Sequence, residues 1–272
     1  MKRKQLFTIL MTIIFVFSLT MLAKEFWQGY QEENAFEELR TQIEEVSNPS
    51  EEDEFAPSPK EPILTEPSPE EIEQELLAQK LLQYAELATF NPDFVGWIKI
   101  NNTKIDYPVL HTPSNEEYYL HRNFEKEYSA SGTPFLSADN TLEADNEQII
   151  IYGHNMRNGT MFSDLLFYKK QTFWEENPYI YFDLLNSEDN YKIFAVFEMD
   201  VETGNGHFPF YEHTTFENKE LFDAFLNEVT NLSLYDTGVV PTYGETILSL
   251  VTCDEYSGSD RIVVMGVKKE ST

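Results

Sequence analysis

The sequence predicts a mainly β fold: one domain built as a β-barrel or closed sheet with peripheral helices, behind an N-terminal transmembrane helix. Three observations carry this. Short runs rich in Ile, Val, Tyr and Phe, bounded by Gly, Asn, Asp or Pro, recur from about residue 95 to the C-terminus. Two helical segments interrupt them, and no internal repeat is present. Ahead of everything stands an uncharged apolar run.

That run extends from Leu6 to Ala23, after Lys2, Arg3 and Lys4. At about 1.5 Å per helical residue it is long enough to cross most of a bilayer core. The preceding basic residues place residues 1–5 on the cytoplasmic side as a short tail, with residues 6–23 in the lipid bilayer and the remainder outside. Trp27 and Tyr30 suit the outer interface. A cleaved signal peptide is the alternative, but Met21 two residues before Ala23 makes a poor cleavage site.

The formal charge is −29, and much of it lies before residue 80, in runs such as Glu51-Glu52-Asp53-Glu54. Together with Pro49, Pro57, Pro59, Pro62, Pro67 and Pro69, these acids make residues 24–74 an extended stalk. Its early part, Glu32 to Val46, continues the membrane helix for a few turns. A chain this acidic excludes nucleic acid as a partner, because phosphate contact needs clustered Lys and Arg. The single cysteine, Cys253, excludes an intramolecular disulfide and a zinc-type cysteine cluster. An exported chain without disulfides fits a Gram-positive surface.

The folded domain is expected over residues 75–272. Pro69-Glu70-Glu71-Ile72 reads as a helix start, and Leu76, Leu77, Leu81, Leu82, Tyr84 and Leu87 recur at helical spacing as far as Asn91-Pro92. Strands follow at 95–100 and 105–110 around a turn at Asn101-Asn102, then at 148–152, 179–184, 191–199, 246–252 and 261–267. Helical segments are expected at about 161–176 and 217–232. In the second, Leu221, Phe222, Phe225, Leu226 and Val229 form an apolar stripe that packs on the core.

Cys253 ends the apolar strand Thr246-Ile247-Leu248-Ser249-Leu250-Val251-Thr252 and opens into polar Asp254-Glu255. His154 likewise ends Gln148-Ile149-Ile150-Ile151-Tyr152-Gly153, and Arg261 opens Ile262-Val263-Val264-Met265 across a short loop with a turn at Ser257-Gly258-Ser259. Strand ends are where a rigid scaffold presents reactive groups. A cation beside a thiol favours the thiolate, a histidine protonates a departing amine, and a guanidinium fork holds an oxyanion. Each residue taken alone has a plainer reading as a buried thiol, a turn histidine or a solvated arginine. His111, His121, His207 and His213 lie in polar stretches and are expected at the surface.

These residues resemble the active-site signature of the sortases: Ile151-Tyr152-Gly153-His154-Asn155-Met156, Leu250-Val251-Thr252-Cys253 and Arg261-Ile262-Val263-Val264. Class B in particular is resembled by Gly159-Thr160-Met161-Phe162-Ser163-Asp164-Leu165, Tyr118-Tyr119-Leu120-His121-Arg122-Asn123-Phe124 and the Asn91-to-Ile98 stretch. The helix near 217–232 is similar to the extra helix of class B. The resemblance covers about residue 75 to the C-terminus. It implies an eight-stranded barrel and a cysteine transpeptidase with catalytic His154, Cys253 and Arg261. The thiolate would cleave the C-terminal sorting signal of a surface protein. A peptidoglycan-precursor or pilin amine would then release the acyl-enzyme, with no metal or organic cofactor. Asn155, Thr252, Asp254 and Tyr256, which flank the catalytic candidates, are expected to touch substrate. Position 251 departs from the pattern, with Val where class B members often carry Ser. Two alternatives remain open at this stage: a cysteine peptidase that uses water as acceptor, and a non-catalytic surface scaffold. A papain-like arrangement is disfavoured, because there the cysteine precedes the histidine along the chain.

Overall fold

The computed structural model describes residues 2–47, 68–141, 148–200, 208–253 and 260–269. The chain divides into two compact units, Met1–Thr41 and Gln42–Thr272. Nearly all of the first unit is helical, within α1 (Lys2–Ser47). From Phe7 to Leu22 its large apolar side chains are exposed. It is long and apolar enough to cross a membrane. Further along, Arg40 pairs with Glu33 and Glu37.

The second unit holds the barrel. Its strands are β1 (Phe94–Lys99), β2 (Asp106–Leu110), β3 (Phe135–Leu136), β4 (Gln148–His154), β5 (Tyr179–Leu184), β6 (Asn190–Asp200), β7 (Ile247–Cys253) and β8 (Asp260–Lys269). They close in the order β1-β2-β3-β4-β7-β8-β6-β5, with β5 returning to β1. β2–β3 and β4–β7 are parallel pairs, and the other pairs are antiparallel. Closure pairs β1 with β5, the two strands that would otherwise end the sheet.

α2 (Pro69–Phe90) starts where the sequence places it. It buries Tyr84 and Leu87. Tyr84 donates to Asp183 Oδ2 at 3.0 Å, and Lys80 pairs with Asp183 at 2.6 Å and with Glu188 at 2.5 Å. Burial works against the Lys80 ammonium, but the two carboxylates outweigh it and hold its pKa above the usual lysine value. A buried polar contact of this kind fixes where the helix sits on β5.

α4 (Lys219–Leu232) is capped by Asn218, whose side chain accepts from the Leu221 amide at 3.0 Å. Phe222, Phe225, Leu226 and Val229 pack into one cluster with Ile150, Val251, Val263, Met265 and Val267. Each such side chain contributes about 1.5–3 kcal/mol on burial. Leu221 does not join them and is half exposed, because it lies at the edge of the stripe. Val251 is 3% exposed within this cluster, so the departure at 251 is absorbed as apolar packing.

One expectation is corrected. The segment expected as one helix at 161–176 is a 3-10 stretch, Phe162–Lys169, followed by the short α3 (Gln171–Glu176). Three further elements, β3 and the 3-10 segments Glu116–His121 and Phe210–Glu212, join those read from the sequence.

Candidate active site

β4 and β7 run in parallel, so their C-terminal ends reach the same rim. The last rung of their ladder pairs His154 with Cys253. β8 runs back antiparallel from that rim, with Val251 opposite Val263. Continuing this register sets Arg261 across from Cys253. Strand spacing of about 4.8 Å then puts the Cα atoms of His154 and Arg261 about 10 Å apart, with Cys253 between them. Alternation adds a second constraint. Ile150, Val251, Val263 and Met265 belong to the cluster under α4. Positions 154, 253 and 261 continue the same alternate sets along their strands.

His154 is 7% exposed. Its Nε2 lies 2.7 Å from the Leu120 carbonyl oxygen, and its ring stacks on His121 at a centroid distance of 5.5 Å. Arg261 is half-buried. Its Nη1 is buried without a hydrogen-bond partner among the described residues. An unsatisfied buried guanidinium donor is costly, and an anion delivered to this rim would relieve that cost.

The loop that leaves His154 is tightly held. Asn155 bridges back to Met161. Ser163 Oγ accepts from the Met156 amide at 2.7 Å and contacts the Met156 and Thr160 carbonyls. Met161 adopts φ 57°, and its amide donates to Tyr107 Oη at 3.1 Å. Phe162 then lies flat against Gly153, where an added Cβ would come within 2.6 Å of the ring. The glycine before the histidine is therefore a packing requirement.

A sortase-domain family model matches residues 98–269. The chain belongs to the sortase family. Sortase B from Staphylococcus aureus is 33% identical over 187 residues, which is 68% of this chain and 74% of that one. Sortase B from Listeria monocytogenes is 34% identical over 183 residues, 66% and 72% of the respective chains. Among solved structures, a Staphylococcus aureus sortase B–substrate complex superposes with a TM-score of 0.71 at 28% identity, covering 90% of this chain and 100% of that one. A mutant form of Clostridium perfringens sortase B gives 0.65 at 32% identity, covering 72% and 91%. The eight-stranded barrel is thus that of sortase B structures, and the family membership is that of a transpeptidase.

Within this sortase, the three residues singled out for chemistry lie on adjoining strands at one rim. The flanking candidates diverge. Asn155 is half-buried beside His154. Thr252 is 2% exposed, and its Oγ1 accepts from the Ile262 amide at 3.1 Å, which ties β7 to β8. Asp254, Tyr256 and the turn at 257–259 lie outside the described residues, as does His207. His121 was expected at the surface and instead packs on the His154 ring. The Tyr119-Leu120-His121 stretch carried a class B signal in sequence, but nothing in residue type announced that a main-chain carbonyl there meets the imidazole.

Proposed function

We propose that the protein is a membrane-anchored, sortase B-type cysteine transpeptidase acting on C-terminal sorting signals outside a Gram-positive cell. The observation that carries this reading is the register pairing of His154 with Cys253, with Arg261 on the next strand, its Nη1 buried without a hydrogen-bond partner among the described residues. The Cys253 thiolate attacks the scissile carbonyl, forming the C–S bond and an oxyanion that Arg261 holds. As the C–N bond breaks, protonated His154 gives its proton to the leaving amine, which departs and leaves a thioester on Cys253. An acceptor amine then loses a proton to His154 and attacks the thioester, and the thiolate leaves. The incoming amine belongs to a peptidoglycan precursor or a pilin. Asn155, Asp254 and Tyr256 are assigned to the substrate side of this rim, with Thr252 supporting it through the sheet.

The exposed apolar side chains from Phe7 to Leu22 support an anchor in the bilayer, with Lys2, Arg3 and Lys4 on the cytoplasmic side. The acidic, proline-rich segment before α2 spaces the catalytic domain from the membrane.

The test is incubation of the full chain, in detergent, with sorting-signal peptides, with and without a diamine. Transpeptidation predicts a diamine adduct on the N-terminal peptide fragment. Hydrolysis alone under both conditions would support a peptidase instead.

A further inference from the structure

A carbonyl oxygen only accepts hydrogen bonds, so the 2.7 Å contact between His154 Nε2 and the Leu120 oxygen requires the ring proton on Nε2. In neutral imidazole, Nδ1 is then the nitrogen with the lone pair. We infer that the Leu120 main-chain carbonyl, held in place by Gly132, positions His154 in the Nε2–H tautomer, so that Nδ1 is the nitrogen that exchanges protons during transpeptidation. This rests on the transpeptidase reading above and adds to it a positioning role for two residues.

The loop around Gly132 is built for that purpose. The Thr133 amide donates to the Tyr119 carbonyl at 3.1 Å and the Ser129 amide to the His121 carbonyl at 3.1 Å. Thr133 Oγ1 donates to the Arg122 carbonyl at 2.9 Å. The loop thus takes the carbonyls on either side, while that of Leu120 meets the imidazole. Gly132 sits at φ +60°, its amide bonded to Ser129 Oγ at 3.2 Å. A Cβ there would stand 2.4 Å from the Leu120 oxygen and 2.5 Å from the Tyr119 oxygen. Only glycine lets the loop close this tightly behind the carbonyl. From the far side, Tyr119 Oη donates to Asp93 Oδ2 at 2.7 Å and accepts from Asn91 Nδ2 at 3.1 Å. The peptide that carries the Leu120 oxygen is therefore gripped on both flanks, and the stacked His121 ring limits how the imidazole turns.

The test is a nitrogen spectrum of the full chain in detergent with 15N-labelled histidine, at a pH where His154 is neutral. The His154 signals are assigned by their loss in His154→Asn. A protonated-type Nε2 and an unprotonated Nδ1 are expected; an active chain with its proton on Nδ1 overturns the inference. Gly132→Ala should lower kcat by about 100-fold, the scale of a misplacement near 1 Å. Its KM should change by less than about 3-fold, and its tautomer should become mixed. Gly238→Ala, also at a left-handed φ but with open space around it, is the control and should stay near wild type. A folded Gly132→Ala with wild-type kcat and tautomer contradicts the role. If that variant does not fold, the wild-type spectrum alone decides. A wild-type chain that forms no acyl-enzyme overturns the transpeptidase reading itself, whatever its tautomer.

Discussion

Arg261 contributes a shape as well as a charge. Its guanidinium presents donors in a rigid fork, and one of them, Nη1, is buried without a partner among the described residues. Lysine would keep the charge and lose the fork. Arg261→Lys is therefore expected to fold normally and to lose about 100-fold or more in kcat, the scale of one lost oxyanion donor. Steady-state kinetics on a sorting peptide measures it, and a loss confined to KM would contradict the role. The strand-end positions of Cys253, His154 and Arg261 were legible in the sequence because each stands where an apolar run meets polar residues. The Leu120 carbonyl was not, since a main-chain acceptor leaves no mark in residue type. Gly132 and Gly153 were visible as glycines, but their purpose depends on what lies opposite: the Leu120 carbonyl in one case, the Phe162 ring in the other.

The 3-10 segment Glu116–His121 runs from the buried Tyr119 to the Leu120 carbonyl and His121 ring that meet His154. Its anchor is Tyr119, bonded to Asp93, which also pairs with Lys126 at 2.8 Å. Burial works to raise the Asp93 pKa, but Lys126 and the Tyr119 hydroxyl outweigh it and hold the carboxyl below its ordinary value. The fold thus binds this proton less readily than the unfolded chain does. The stability it contributes is fully present above the ordinary aspartate pKa and is lost as pH falls through the lower folded-state value. Urea unfolding should show Asp93→Asn less stable than wild type at neutral pH, with the gap closing in acid. A gap independent of pH would contradict this role of the Asp93 carboxylate. At this scale the longer strands were readable because their Ile, Val and Tyr runs have clear boundaries. β3 escaped because two residues carry no periodicity, and Phe162–Lys169 read as α because apolar spacing does not separate a 3-10 turn from an α turn.

Over the whole molecule, charge and hydrophobicity are segregated along the chain: an apolar helix first, an acidic stretch next, then a barrel whose β4, β7 and β8 meet at the rim that carries His154, Cys253 and Arg261. The division was plain from composition, because a run without charge and a run dense in Glu and Pro have opposite solvation. What composition did not carry was the strand pairing: the parallel pairing of β4 with β7 joins segments far apart in sequence, and through it the histidine and the cysteine become neighbours. The central claim is that this neighbourhood makes a nucleophile of Cys253. Intact-mass spectrometry of the full chain mixed with a sorting-signal peptide tests it most directly. The account predicts a hydroxylamine-sensitive adduct equal to the acyl fragment, mapped to Cys253 and lost in Cys253→Ala; an adduct on any other residue, or cleavage that persists in Cys253→Ala, would contradict it.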